Sequence, residues 1–323
     1  MTGTSDTLDR TASGDDRPKK DTKARDKVKR DPVTGELKKP IRPARILLHV
    51  FLASLGILWM VPLTISVYSS FRPFAVTSRD GFLSWGGGFS LENYRTALEF
   101  GDFYDKYWNT ALILIPSLIL TLFLASLIAF ACSRFNWRFN IFFLILFTAG
   151  NLLPQQIMVA PLFQAFKRIP LPEILSNSGK LNGSNWAIIL LHVGFQMGFC
   201  TFVLSNYMKL LPKELNEAAM VDGASLWTQY RHIIMPLTRP ALAALATLEF
   251  AWIYNDYFWA VIFEQRGDDR PITSALSNLG GEFVTNTNQV SAASIFVIIP
   301  VMIVYFALQR HFIAGLTLGA NKG

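Results

Sequence analysis

The stretch NEAAMVDGASLWTQYRHIIMP, residues 216–236, stands between two long apolar runs. A short turn would join two such runs, yet this connection is composed as helix, bend and helix. Pro212 suits the first turn of a helix, where its missing N–H is no loss, and KELNEAAMV continues with good helix formers and with acids near the positive end of the dipole. Gly223 can supply the left-handed turn that ends this helix, and Ser225 can cap a second, LWTQYRHII, expected to stop ahead of Pro236 and Pro240. On the first helix Ala218 and Ala219 are expected to form a face with little side chain, open to close approach by another protein's groove, with the Glu217 carboxylate at its edge. A helix lying on the bilayer surface is the alternative, and it asks for more large apolar residues on one face than this helix carries.

The flanking runs belong to a larger set. The 323 residues are 51% hydrophobic and 13% aromatic, which suits neither a disordered chain nor an ordinary soluble enzyme. Six stretches reach the roughly 20 residues that a hydrocarbon core requires: Ile46–Phe71, Trp108–Ala131, Phe139–Phe166, Trp186–Met208, Ala241–Phe263 and Ser291–Leu308. The first is too long for the core of a cleaved signal peptide and reads as a retained helix. The expected fold is all-α, a polytopic membrane protein of six transmembrane helices. Cys132 and Cys200 fall at or inside spans, where a disulfide framework is unusual, and both read as packing residues.

Residues 1–44 form an expected disordered basic tail ahead of a transmembrane domain at 45–323. Up to Arg45 the chain carries 13 Lys+Arg against 8 Asp+Glu, which is +5 of a net +7. Such a segment cannot bury enough apolar area to fold. Its acids are interspersed and it has no aromatic to stack on bases, so a solvated cytoplasmic tail is favoured over a nucleic-acid arm. A basic tail belongs in the cytoplasm, and six spans return the C-terminus there. The loop charges do not discriminate between the two sides. In the expected outer loop, SWGGGFS reads as a flexible turn, and Ser90 can cap a short amphipathic helix in SLENYRTALEFGDF.

The segment EAAMVDGASLWTQYRHIIMPLTRPAL resembles the EAA motif of binding-protein-dependent ABC importer permeases. Glu217, Ala218, Ala219, Gly223 and Pro236 occupy the motif positions, and Asp222 precedes the glycine. The likeness extends over roughly Arg45 to Gly323: SLENYRTALE with WNTALI, LPQQIMVAPLF, YNDYFWAVIF and the ending LQRHFIAGLTLGANKG are similar to the carbohydrate branch, of the maltose-system permease G type. The resemblance implies a coupling segment at 212–236, with a cytoplasmic helix that seats in a cleft of an ATPase subunit and moves as a lever. In that picture Glu217 is a polar anchor, Gly223 the bend, and GLTLGANKG a tail reaching toward the ATPase dimer. It also implies a second permease subunit, two ATPase subunits that bind the ATP and Mg, and an external solute-binding protein, all at the cytoplasmic (inner) membrane and among its lipid.

Polar side chains at membrane depth mark helix contacts or a solute path. In GNLLPQQIMVAP, Asn151, Gln155 and Gln156 accompany Pro154 and Pro161, which fits a broken helix beside a cavity. In the fifth span Glu249, Trp252, Asp256 and Trp259 recur near one face, with Asn255 close by. Glu249 is expected to face the bundle interior with a donor partner. WIYNDYFW offers both the hydrogen-bonding groups and the aromatic faces that sugars use, though the same aromatics also suit packing or an interfacial belt. No nucleophile beside a base, no metal-ligand spacing and no Walker-type Lys-Ser/Thr appears, so no cofactor is expected in this chain and no reaction of its own. An importer for a non-sugar solute remains an alternative. A secondary transporter using Glu249 or Asp256 is a further one, but it leaves the EAA segment without purpose.

Overall fold

A computed structural model of the chain describes residues 43–100, 102–135, 138–150, 154–176, 178–264, 269–276 and 286–317. The expected N-terminal tail therefore falls almost wholly outside the described residues, as do Asn151 and the last six residues. The helices are α1 (Pro43–Ser70), α2 (Phe74–Asp80), α3 (Glu92–Phe100), α4 (Phe103–Arg134), α5 (Asn140–Gly150), α6 (Val159–Arg168), α7 (Asn185–Met208), α8 (Glu214–Val221), α9 (Leu226–Thr228), α10 (Met235–Tyr254), α11 (Phe258–Phe263), α12 (Ile272–Ala275) and α13 (Thr287–Thr317). No strand occurs among the described residues; one bridge, Pro170 to Lys180, closes a loop between α6 and α7.

The chain divides into two units, residues 1–61 and 62–323. In the first, every described side chain, from Pro43 to Val61, is exposed, including Ile46, Leu47 and Trp59. A helix so apolar all round has lipid as its natural solvent.

In the second unit α4 and α7 form the most extensive helix pair. Ser117, Thr121, Ala125 and Ala129 are buried at every fourth residue of α4, and Gly198, Thr201 and Ser205 are buried on α7. Such stripes of small residues let backbones approach closely where lipid offers no hydrophobic drive. Two apolar clusters fill the unit. One holds Ile188, Trp259 and Phe263, and the other holds Phe130, Leu204, Met208 and Ile234.

Among the described residues five helical runs are long and apolar enough to cross a membrane, and six if one bent pair counts as a span. The bent pair is the third expected span. It consists of α5 and of a 3₁₀ turn, Gln155–Met158, that leads into α6, with the two pieces inclined by 85°. Pro154 heads the second piece and Pro161 lies in the first turn of α6, positions where proline is tolerated only as a helix begins.

The fifth span departs from expectation at both ends. The helix after Ser225 does not stop ahead of Pro236; it runs unbroken from Leu226 to Tyr254. A π-helical turn, Gln229–Ile234, widens the backbone just before α10, so Pro236 sits in that helix's first turn, and Thr238 Oγ1 donates to the Ile234 carbonyl at 2.7 Å. At the other end α10 stops at Tyr254 instead of reaching Phe263, and α11 is a separate turn.

The SWGGGFS segment is pinned rather than free. Arg72, 1% exposed, donates from Nε to Gly86 O at 3.1 Å, from Nη1 to Gly81 O at 3.0 Å, and to Ser84 Oγ. The Tyr68 hydroxyl accepts from the Gly86 N–H at 2.7 Å. Gly86, Gly87 and Gly88 all have φ between +92° and +95°, which a side chain would strain. Ser90 does cap α3, accepting from the Glu92 N–H at 3.1 Å. Behind Arg72, buried Asn93 and Asn288 donate to its carbonyl at 2.8 and 2.9 Å, and Asn288 also reaches Ser69 O and Thr77 Oγ1, tying α13 to the end of α1 and the middle of α2.

Asn288→Leu strips these donors from buried acceptors, a loss of about 1–3 kcal/mol. A clearly lower Tm in detergent is the expected result; an unchanged Tm would show that this knot contributes nothing to the fold.

Candidate functional site

Two arrangements gather the residues singled out from the sequence. The first is the bend after α8. Gly223 takes φ +76°, and its N–H reaches the Met220 carbonyl at 3.1 Å. Ser225 caps the next helix, accepting from the Thr228 N–H at 3.2 Å. Both features match expectation. A clamp that was not anticipated holds the bend closed. Buried Asn216 donates to Gln229 Oε1 at 3.0 Å, Gln229 Nε2 donates to Ala224 O at 3.0 Å, and the Ala224 N–H donates to Ala219 O at 2.8 Å. Tyr230 then meets Ser126 of α4, hydroxyl to hydroxyl, at 2.7 Å.

The two alanines do not share a face. Successive helical residues are about 100° apart, and Ala219 turns inward with Asn216 while Ala218 stays exposed. The outward surface is Glu217, Ala218, Met220 and Val221, the last 88% exposed, followed by exposed Asp222 and Gly223. Pro236 is half-buried in the helix beyond. Asn216 and Gln229 escaped sequence reading because a clamp thirteen residues apart has no periodic signature.

The second arrangement is a cavity of about 400 Å³ between the 3₁₀ turn, α7 and the end of α10. Gln155, Gln156, Trp252 and Asp256, all expected on a solute path, line it. Glu249 does not. It is fully buried and accepts from the Cys200 thiol at 3.1 Å, so Cys200 is its donor partner as well as a packing residue. Asn255 also stands outside the lining, exposed, with its amide returned to Ala251 O at 2.8 Å. The expected single face from Glu249 to Trp259 is lost because the helix breaks after Tyr254, and Asp256 instead accepts from the Trp259 N–H at 3.2 Å to start α11.

Helix α7 supplies the other wall. His192 Nε2 lies 3.3 Å from Asp256 Oδ2, and Gln196 Nε2 lies 3.2 Å from His192 Nδ1. Gln196 Oε1 has no hydrogen-bond partner among the described residues, and His192 Nε2 and Asp256 Oδ2 face each other as an ion pair. Aromatic faces flank them: Phe195 stacks on Trp259 at 5.4 Å, and Phe199 meets Trp252 at 5.5 Å. A hollow of this size with hydrogen-bonding groups between aromatic faces can hold a small, hydroxyl-rich ligand.

The family described as binding-protein-dependent transport system inner membrane component matches residues 121–317. The alpha-glucoside transport system permease protein AglG of Rhizobium meliloti is 32% identical over 73% of this chain and 61% of its own length. The melibiose/raffinose/stachyose import permease protein MelC of Bacillus subtilis is 30% identical over 72% of this chain and 82% of its own. A chain in a crystal structure of a bacterial ABC transporter for the acidic polysaccharide alginate superimposes with TM-score 0.69 at 23% identity, covering 84% of this chain and 98% of that one.

Gln229→Leu opens the clamp and leaves the Asn216 amide and the Ala224 carbonyl without their partner, a local loss of about 1–3 kcal/mol. Amide exchange over residues 216–224 should quicken by roughly tenfold or more while α4 and α7 stay protected, since 1.4 kcal/mol is a factor of ten. Unaltered exchange across the bend would remove the clamp from the account.

Proposed function

The chain belongs to the binding-protein-dependent transport system inner membrane component family, and on that footing we propose that it is the permease subunit of an ATP-driven importer for an oligosaccharide or glycoside. The observation that carries the sugar reading is the cavity, in which Gln155, Gln156, Gln196, His192 and Asp256 offer hydrogen bonds between Trp252, Phe199 and Trp259. Relatives whose names specify alpha-glucosides and melibiose, raffinose and stachyose support the same solute class. An apolar face on the sugar C–H surface and polar groups on its hydroxyls are what such a ligand requires.

In this reading the chain performs no covalent step. ATP and Mg are bound by two partner ATPase subunits; solute arrives on an external binding protein, the dependence that the family's description names. A second permease subunit completes the pathway across the inner membrane, and both termini of this chain lie in the cytoplasm. The exposed surface of Glu217, Ala218, Met220 and Val221 docks in the ATPase cleft, and the locked bend passes its displacement into α10. Asn151 and the last six residues lie outside the described residues, and their proposed roles, in the solute path and at the ATPase dimer, are those expected from the sequence.

With the assembled importer in proteoliposomes, Trp252→Ala should raise the sugar concentration for half-maximal uptake about tenfold, equivalent to about 1.4 kcal/mol. Equal uptake by the variant and the unaltered importer would take the cavity out of the pathway. Glu217→Lys places a cation where the anchor is an acid, and sugar-stimulated ATP hydrolysis should fall at least tenfold with binding-protein affinity unchanged. Collapsing the ion gradient while ATP is supplied should leave uptake intact, and arrest of uptake would favour ion coupling instead.

A further inference from the structure

We propose that a groove formed by α4, α5 and α7 binds an anionic phospholipid with a hydroxyl-bearing headgroup. A hollow of about 750 Å³ opens where α4 and α7 end, lined by Arg134, Arg138, Lys209 and Lys213 with Asn140, and by no Asp or Glu. Arg134 is anchored by Nη1 donating to Leu211 O at 3.1 Å, but its Nε and Nη2 are buried with no hydrogen-bond partner among the described residues. Arg138 lies over the Phe139 ring at 4.7 Å. Four cations converging without a carboxylate ask for an anion, and unsatisfied guanidinium N–H groups ask for a planar or tetrahedral oxyanion such as a phosphate. Asn140 donates to Phe135 O and leaves its Oδ1 unpartnered, an acceptor for a headgroup hydroxyl.

A second, apolar hollow of about 400 Å³ adjoins the first and shares Ile141, Leu144 and Lys209 with it. Ile145, Ala149 and Phe202 continue it up the seam between α5 and α7, and the Thr148 hydroxyl there is already spent on Leu144 O at 2.6 Å. A free phosphate would use only the basic hollow. The apolar continuation selects a lipid, whose phosphate fills the first hollow and whose acyl chain lies along the second. The depth agrees, because α4 and α7 are both long enough to cross a membrane and end at this level, where headgroups lie. The site does not rest on the transport reading.

The test is native mass spectrometry of the complete importer, released from membranes of equimolar phosphatidylglycerol and phosphatidylcholine. The unaltered complex should retain phosphatidylglycerol in preference. An R138Q/K209Q double variant should retain roughly 30-fold less, about fivefold for each cation removed, with phosphatidylcholine unaffected. A149W fills the apolar hollow and leaves every cation in place. It should lower retained phosphatidylglycerol while inorganic phosphate binding stays the same, and it decides the matter alone if the double variant fails to assemble. Equal retention of the two lipids, or full retention by A149W with phosphate still bound, would overturn the proposal, the latter leaving an anion site without a lipid.

Discussion

Helices in hydrocarbon gain nothing from pressing leucine against leucine that lipid tails would not also supply, so the close pairing of α4 and α7 must come from small side chains. Ser117, Thr121, Ala125 and Ala129 on one helix, and Gly198, Thr201 and Ser205 on the other, meet that condition. A third long helix of this unit, the Leu226–Tyr254 run, is fixed to the pair at polar points. Tyr230 bonds Ser126 of α4 where the Leu226–Tyr254 run begins, and Glu249 accepts from Cys200 of α7 farther along it. A charged or carboxylic group at such depth is expensive unless it is held, so these contacts constrain where the helix can lie.

That run joins the two sites. It starts at the bend closed by Asn216, Gln229 and Ala224 and ends beside the cavity at Trp252 and Asp256. At 1.5 Å per residue its length is roughly 40 Å, about a bilayer with its headgroups. A clamped bend bounds this run at one end and a helix break at the other. The π turn at Gln229–Ile234 leads into α10 just ahead of Pro236, and the run stays helical through both Pro236 and Pro240.

Much of this was legible from residues. Apolar length identified the spans, Gly223 the left-handed turn, and Ser225 and Ser90 the caps, since each depends on the chemistry of one residue and its immediate neighbours. Errors arose where the outcome depended on more distant groups. Ala218 and Ala219 share a motif but not a face. Glu249 falls outside the cavity because its carboxylate is buried against Cys200 of α7, and Asp256 leaves its expected face because the helix ends at Tyr254. The glycine run looked loose because Arg72, which holds it, is fourteen residues from Gly86.

The amino-acid order alone settled solvent, helix count to within the bent third span, and the helix–bend–helix plan of residues 212–236, because hydropathy and local backbone preference are properties of short stretches. The fold assigned partners: His192 to Asp256, Cys200 to Glu249, Asn216 to Gln229, and four cations to one hollow. Those pairings join residues on different helices or turns, and no sequence period encodes them. Only the packing of backbones brings such atoms within hydrogen-bond reach.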